Sequence, residues 1–111
     1  MSAEKKLVRA RFRDAVFARA KYRCEGPGCS FRSSPERAVE ELDAHHITDR
    51  NELPNGGYVP ENGISLCAGC HVKAEHFHST GTALPGFSPN ELYRVIGSSR
   101  EKAERASRRL G

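Results

Sequence analysis

The sequence predicts a single domain of the α+β class with helices at both ends. The apolar residues of segment 7–22 recur at helical spacing, segments 43–47 and 63–66 are typical of short strands, and helical segments follow residues 67 and 88. A length of 111 residues is usual for one domain, so we predict one domain over 1–111. Its core is expected at about residues 8–80, followed by a basic helical extension at about 88–111.

The first helix is expected over residues 7–22, with residues 1–6 as a frayed start. Val8, Phe12 and Val16 lie on one stripe, which predicts a face packed on the core. Arg9 and Arg13 point away from that stripe. They are therefore candidates for contacts with phosphate.

The segments that follow are less uniform. Residues 31–42 allow two interpretations: Ser33 and Glu36 fit a helix-capping box, and the residues from 39 onward also suit entry into a strand. Residues 48–61 are predicted as a loop, with a hairpin-type turn signal at 55–56. Helices are expected over 68–77, 92–96 and 102–110, and the last is too short to be stable unless it docks.

Charge is unevenly distributed along the chain. Residues 1–23 carry eight basic and two acidic side chains, residues 24–93 four and ten, and residues 94–111 six and two. Basic ends suit a polyanion such as DNA or RNA, and solvated helix faces are the simpler alternative. No apolar run is long enough for a membrane span or a signal peptide. The chain is therefore expected in the cytoplasm, where thiols stay reduced.

The four cysteines form two close pairs, Cys24 with Cys29 and Cys67 with Cys70. Gly-Pro-Gly at 26–28 forces a tight turn inside the first pair, and two such pairs about 40 residues apart are typical of a closed, structural zinc site with four thiolate ligands. Disulfides within each pair are the alternative. They give no reason for a histidine to follow Cys70 directly.

All five histidines lie between residues 45 and 78. His45 and His46 near a strand end, Asn62 in a loop and His71 at a helix start would suit a hydrolytic site with one metal ion. One imidazole of the pair binds the ion, the other accepts a proton from water, and His71 supplies a second ligand. In the alternative interpretation His45 and His46 are structural and His71 only caps its helix.

The motifs Ala-His-His-Ile at 44–47 and Glu-Asn-Gly-Ile-Ser-Leu-Cys-Ala-Gly-Cys-His at 61–71 resemble the HNH endonuclease family, in its branch with a four-cysteine zinc site. His46, Asn62 and His71 match the three residues that name the family. The resemblance covers about residues 24–78. It implies a ββα-metal fold, in which two antiparallel strands, a loop and a helix surround the ion.

The resemblance also implies a role for each matching residue. His45 corresponds to a metal ligand, His46 to the general base, Asn62 to the loop-fixing amide and His71 to the metal ligand of the helix. Some members carry a further histidine four positions later, where this chain has Glu75. The third ligand is therefore Glu75 or, if the helix is irregular, His76, whereas His78 is expected at the surface or the helix end.

The function implied is divalent-metal-dependent hydrolysis of DNA, as an endonuclease or nickase, with Mg²⁺, Mn²⁺, Ni²⁺ or Zn²⁺ at the histidine site and Zn²⁺ at the cysteines. Double-stranded DNA is the expected substrate, in a bacterial or phage-infected cell, and a protein partner would supply specificity. The alternatives are a non-catalytic zinc-stapled DNA-binding module, for instance in phage packaging, and an RNA nuclease. Six residues are candidates for nucleic-acid contact: Arg9, Arg13, Lys73, Arg105, Arg108 and Arg109.

Overall fold

The computed structural model describes residues 3–110 and begins with a helix, α1, at Ala3–Arg19. The expected frayed start over residues 1–6 is wrong for residues 3–6, which are helical, and residues 1 and 2 lie outside the described part. The negative charge of Glu4 in the first turn stabilises the helix, because it lies near the positive end of the helix dipole. Beyond Arg19 the chain turns at Lys21 and Tyr22, which both have positive φ.

Two antiparallel strands form the centre of the fold. A short helix, α2 (Ala38–Glu41), leads directly into β1 (Leu42–His46), so segment 31–42 contains both a helical turn and the entry to a strand. The predicted capping box at Ser33 and Glu36 is wrong, because the N-cap of α2 is Arg37, without a side-chain cap. Strand β1 pairs with β2 (Gly63–Cys67), with His45 opposite Ile64 and His46 opposite Gly63. Strand β2 continues without a loop into α3 (Ala68–Thr80), which ends where Gly81 adopts a left-handed conformation. The predicted strand–strand–helix order is confirmed.

The connection between the strands, residues 47–62, is a long loop built from three 3₁₀ turns at Arg50–Glu52, Pro54–Gly57 and Pro60–Asn62. Asn55 and Gly56 have the positive φ expected of their turn signal. Their turn lies within this loop and does not join the two strands. Instead, the Asn55 side chain donates to the carbonyl of Ser107, 3.0 Å away, which links the loop to the C-terminal segment.

Two helices complete the chain, α4 (Pro89–Val95) and α5 (Arg100–Arg108). A capping box opens α4: Ser88 accepts from the Glu91 N–H, and the Glu91 carboxylate accepts from the Ser88 N–H. Helix α5 docks on the loop, because the Ser107 hydroxyl donates to the Pro54 carbonyl and accepts from the Gly57 N–H at 3.0 Å. Docking explains why so short a helix is ordered.

The core lies between α1 and the two strands. Val16, Ile64 and Leu66 are completely buried there. A Cβ atom on Gly63 would lie 2.7 Å from Phe12 Cε1, so only glycine at this position lets the helix approach β2 so closely. Within residues 3–110, none of the helices is both long enough and apolar enough to cross a membrane.

Candidate functional site

The four cysteines meet at one point. Cys24 and Cys29 lie in the turn after α1, whereas Cys67 ends β2 and Cys70 lies in the first turn of α3. Their Sγ atoms all lie within 4.8 Å of one another, and those of Cys29 and Cys67 are 3.9 Å apart. The thiols are free, so the disulfide alternative is not the arrangement found.

The geometry of this cluster fits a tetrahedral ion. Zn–S bonds of about 2.3 Å place the sulfur atoms of a tetrahedron roughly 3.8 Å apart. Backbone N–H groups of Gly26 and Cys67 point at Cys24 Sγ, at 3.4 and 3.2 Å, and stabilise negative charge on that sulfur. Four sulfur ligands leave no open position, so a metal held here stabilises the fold and does not take part in chemistry.

Gly26 is expected to be required for this site. A Cβ atom there would lie 2.6 Å from Cys70 Sγ and 3.3 Å from Cys24 Sγ, so Gly26→Ala should push the thiolates apart. We expect the variant to lose zinc during purification and to unfold at a lower temperature. The matched control is Gly69→Ala, because a Cβ at Gly69 meets no atom within 4 Å. Zinc content and thermal unfolding check the prediction, and equal zinc content in the two variants would contradict it.

A second cluster lies between β1 and α3. His45 of β1 and His71 and Glu75 of α3 place their ligand atoms within 4.8 Å of one another. Glu75 Oε1 lies 3.3 Å from His45 Nδ1 and 3.2 Å from His71 Nε2. Ligand bonds of about 2.0–2.2 Å separate neighbouring ligand atoms by roughly 3–3.5 Å, so these three side chains fit one divalent ion.

His45 is held as a neutral imidazole. Burial, followed by the charge of His71, lowers the pKa of His45 to about 3. Its contact with Glu75 is therefore not an ion pair, and the buried Nδ1 atom lacks a hydrogen bond of good geometry. A buried, unpaired nitrogen that faces a carboxylate is the arrangement expected of a metal ligand.

Asp43 orients the helix ligand. Its Oδ2 atom lies 3.1 Å from His71 Nδ1, so Nδ1 donates the proton and the Nε2 lone pair faces Glu75. The sequence analysis did not include Asp43, although residues 43 and 45 share one face of a strand and both meet α3. His78 lies in the last turn of α3, at the helix end as expected, and there it also approaches the cluster: its ring lies 5.2 Å from that of His45, and its Nε2 donates to the His46 carbonyl at 3.0 Å. His76 is not part of the cluster.

His46 lies next to this cluster and lines the same cleft of about 260 Å³. Its ring stacks on Phe12 at 4.7 Å and meets the Tyr58 ring edge-on at 4.6 Å. Burial, followed by the charge of Arg50, lowers the pKa of His46 to about 4, so the imidazole is neutral at pH 7. Its Nε2 atom is buried and has no hydrogen-bond partner. The ring is therefore fixed in position as a neutral imidazole that lines the cleft.

Asn62 is completely buried and does not line the cleft. Its Oδ1 atom accepts from the Thr48 N–H at 2.9 Å and from the Tyr93 hydroxyl at 2.7 Å. Its Nδ2 group donates to the carbonyls of Thr48 and Gly57 at 3.0 and 3.2 Å. Every hydrogen-bonding position of the amide is filled, so Asn62 holds the loop that follows His46. The role of Tyr93 was not predicted from the sequence, because only the docking of α4 brings its hydroxyl to Asn62.

The candidates for nucleic-acid contact divide into two groups. Arg9 and Arg13 of α1 line a groove that also includes His46. The others have different surroundings: Lys73 lies 5.9 Å over the Phe87 ring, Arg105 pairs with Glu101 at 3.3 Å, Arg108 pairs with Glu104 at 2.6 Å, and Arg109 is exposed.

Comparison with known proteins agrees with this geometry. A family model described as HNH endonuclease matches residues 24–77. No curated protein and no solved structure matches the chain. Members of the family are nucleases that act on DNA with divalent metal ions, and a four-cysteine cluster fits its zinc-containing variant. The matched segment contains both ligand clusters, both strands and most of α3. Residues 24–77 of this chain are therefore the segment that matches the HNH endonuclease family.

Proposed function

We propose that the chain is a DNA endonuclease or nickase that hydrolyses phosphodiester bonds with a divalent metal ion. One observation supports this most directly: a neutral imidazole, His46, lines the same cleft as a ligand group formed by His45, His71 and Glu75. A protein that only binds DNA has no need of a proton acceptor beside a group of this kind.

Three residues of the cleft would bind the metal ion. His45 Nδ1, His71 Nε2 and the Glu75 carboxylate would hold a divalent ion, and their mixture of imidazole and carboxylate suits Mn²⁺, Ni²⁺ or Zn²⁺ better than Mg²⁺. When bound, such an ion stabilises negative charge on the phosphate and on the leaving oxygen. The four-cysteine cluster would hold zinc and keep the strand end and helix start together.

His46 would act as the general base. Since its Nε2 atom is buried, Nδ1 is the nitrogen available to water, and it would take the proton as the water oxygen attacks phosphorus. Arg50 also lines the cleft and would bind a phosphate oxygen. Asn62 would act as a positioning residue, since it fixes the loop at Thr48 and does not reach the cleft.

A plasmid-cleavage assay with Mg²⁺, Mn²⁺, Ni²⁺ and Zn²⁺ added separately tests this proposal. We expect nicked or linear product with at least one ion. His71→Ala should abolish cleavage and weaken Mn²⁺ binding measured by calorimetry, because it removes a ligand and the partner of Asp43. The matched control is His76→Ala, a histidine of the same helix outside the cluster, which should cleave normally.

Two outcomes would contradict the proposal. If the parent protein binds DNA in a salt-sensitive manner but cleaves with none of the ions, the chain is an accessory DNA-binding module. If His71→Ala cleaves as fast as His76→Ala, the ion is not held by this cluster.

A further inference from the structure

A second cavity, here called the α1 groove, lies beside the cleft. It has a volume of about 510 Å³, and its lining includes Lys6, Arg9 and Arg13 of α1 together with Tyr58. The groove and the cleft share Ala44 and His46. His46 therefore forms a wall common to both, and a ligand in the groove lies directly beside the reacting centre.

The charge of the groove is of one sign. Among residues 3–110 no carboxylate lines it, whereas Asp49 and Glu75 line the cleft. Its three cations lie three and four positions apart, so they project from one face of α1. Arg13 pairs with Asp14 at 3.1 Å, but both side chains are largely exposed and such a pair contributes little to stability. Arg13 is therefore available to a stronger anion.

The Tyr58 ring holds Arg9, the middle one of the three cations. The guanidinium carbon of Arg9 lies 5.5 Å from the centre of the Tyr58 ring, a distance at which a cation is attracted to an aromatic face. The Tyr58 hydroxyl also accepts from Arg50 at 3.2 Å, and Arg50 lines the cleft. Tyr58 thus connects the cations of the groove to the cation of the cleft in one continuous basic path.

The spacing of the cations suits a nucleic-acid backbone. Lys6 and Arg13 are separated by about 10 Å along the helix, at 1.5 Å per residue. One strand of a DNA duplex advances roughly 3.4 Å per nucleotide along its axis, so this stretch of helix covers about three phosphate-to-phosphate steps. Three long basic side chains along this length can therefore reach neighbouring phosphates of one strand.

The other basic helix lacks these properties. In α5, Arg105 and Arg108 each pair with a glutamate one turn earlier, at 3.3 and 2.6 Å. Neither residue lines the cleft or the α1 groove. These exposed ion pairs do not neutralise α5, but its paired arginines line neither cavity, so they are not placed to hold phosphates of the strand beside the cleft.

We propose that the α1 groove binds the backbone of the DNA strand beside the bond to be cut, with Lys6, Arg9 and Arg13 on successive phosphates. The location of the cut rests on the proposed endonuclease function, whereas binding in the groove does not. Helix α5 takes no significant part in this binding.

Two triple variants with equal loss of charge test the inference. One carries Lys6→Gln, Arg9→Gln and Arg13→Gln, and the other carries Arg105→Gln, Arg108→Gln and Arg109→Gln. Glutamine keeps most of each side-chain stem and favours helix, and circular dichroism and zinc content confirm that both variants fold. The binding of a fluorescent DNA duplex is followed by anisotropy at several salt concentrations, with no divalent ion added so that no cleavage occurs.

The α1 variant should bind about 10- to 100-fold more weakly at 0.1 M salt, and the slope of log K against log salt should become shallower by roughly 2–3, as expected for three lost phosphate contacts. The α5 variant should stay within about twofold of the parent, with an unchanged slope. A single Arg11→Gln variant, at an exposed position of the same helix outside the groove, should also bind like the parent.

The inference is overturned if the two triple variants weaken binding equally, or if the α5 variant weakens it more. Its failure can be distinguished from that of the proposed function. If the parent protein cleaves DNA and the α1 variant binds and cleaves it equally well, only the inference about the groove is contradicted. If binding depends on the groove but no divalent ion supports cleavage, only the proposed endonuclease function is contradicted.

Discussion

Serine in place of Cys70 is expected to leave the protein largely unfolded at 25 °C. Structural zinc bound by four ligands contributes on the order of 10 kcal/mol to folding, whereas a domain of this size has a net stability of about 5–15 kcal/mol. Cys70 is also buried in the core beside Cys24, so an unoccupied cluster would leave polar atoms enclosed. Far-UV circular dichroism, thermal unfolding and zinc content measure the effect.

The matched control for this variant is His71→Ala, one position further along α3. It removes a ligand from the other cluster, so it should keep one equivalent of zinc and an unfolding temperature close to that of the parent. A Cys70→Ser protein that unfolds at the same temperature as His71→Ala would show that the four-cysteine cluster does not maintain the fold. Restoration of the parent's circular dichroism spectrum by zinc after chelation would be the complementary positive result.

Alanine in place of His46 is expected to lower the rate of plasmid cleavage about 10²- to 10⁴-fold, the usual contribution of a general base. The imidazole is neutral at pH 7 because burial lowers its pKa to about 4, and Phe12 and Tyr58 hold the ring in place. The other imidazole of the cleft outside the ligand group, His78, is already held through its Nε2 atom by the His46 carbonyl. Zinc content and the affinity for Mn²⁺ should stay unchanged, since His46 belongs to neither cluster.

Because His46 packs on two aromatic rings, its truncation also leaves a space in the structure. His46→Gln fills most of that space and cannot accept a proton at neutral pH, so it should be as inactive as the alanine variant. A glutamine variant with near-parent activity would show that His46 acts by packing and not by proton transfer. The His76→Ala protein again serves as the control for loss of a histidine.

The parts of the site predictable from sequence were those with local spacing. Helical periodicity places His71 and Glu75 on one face, and the structure brings both to His45. The cysteine cluster followed from two short spacings joined by a tight turn. Whether His45 or His46 faces α3 depends on strand register and twist, which alternation alone does not decide.

The parts that escaped prediction depend on contacts between distant segments. Tyr93 reaches Asn62 only because α4 docks on the loop, and Tyr58 reaches His46 only through the path of three 3₁₀ turns. His78 turns back to the end of β1 because α3 continues to Thr80, further than the expected end near residue 77. Asp43 is an exception, since strand alternation alone places it on the same face as His45.

The hydrogen bonds of Tyr93 and Ser107 let α4 and α5 hold the loop that follows β1 in place. Tyr93 fills one acceptor position of Asn62, and Ser107 ties down Pro54 and Gly57. A chain cut before residue 88 would leave these buried groups without partners, at a cost of about 1–3 kcal/mol each. The rigidity of the loop between β1 and β2 therefore depends on α4 and α5, and we expect a tag or fusion that displaces these helices to slow the proposed cleavage without altering the residues that would bind metal or DNA.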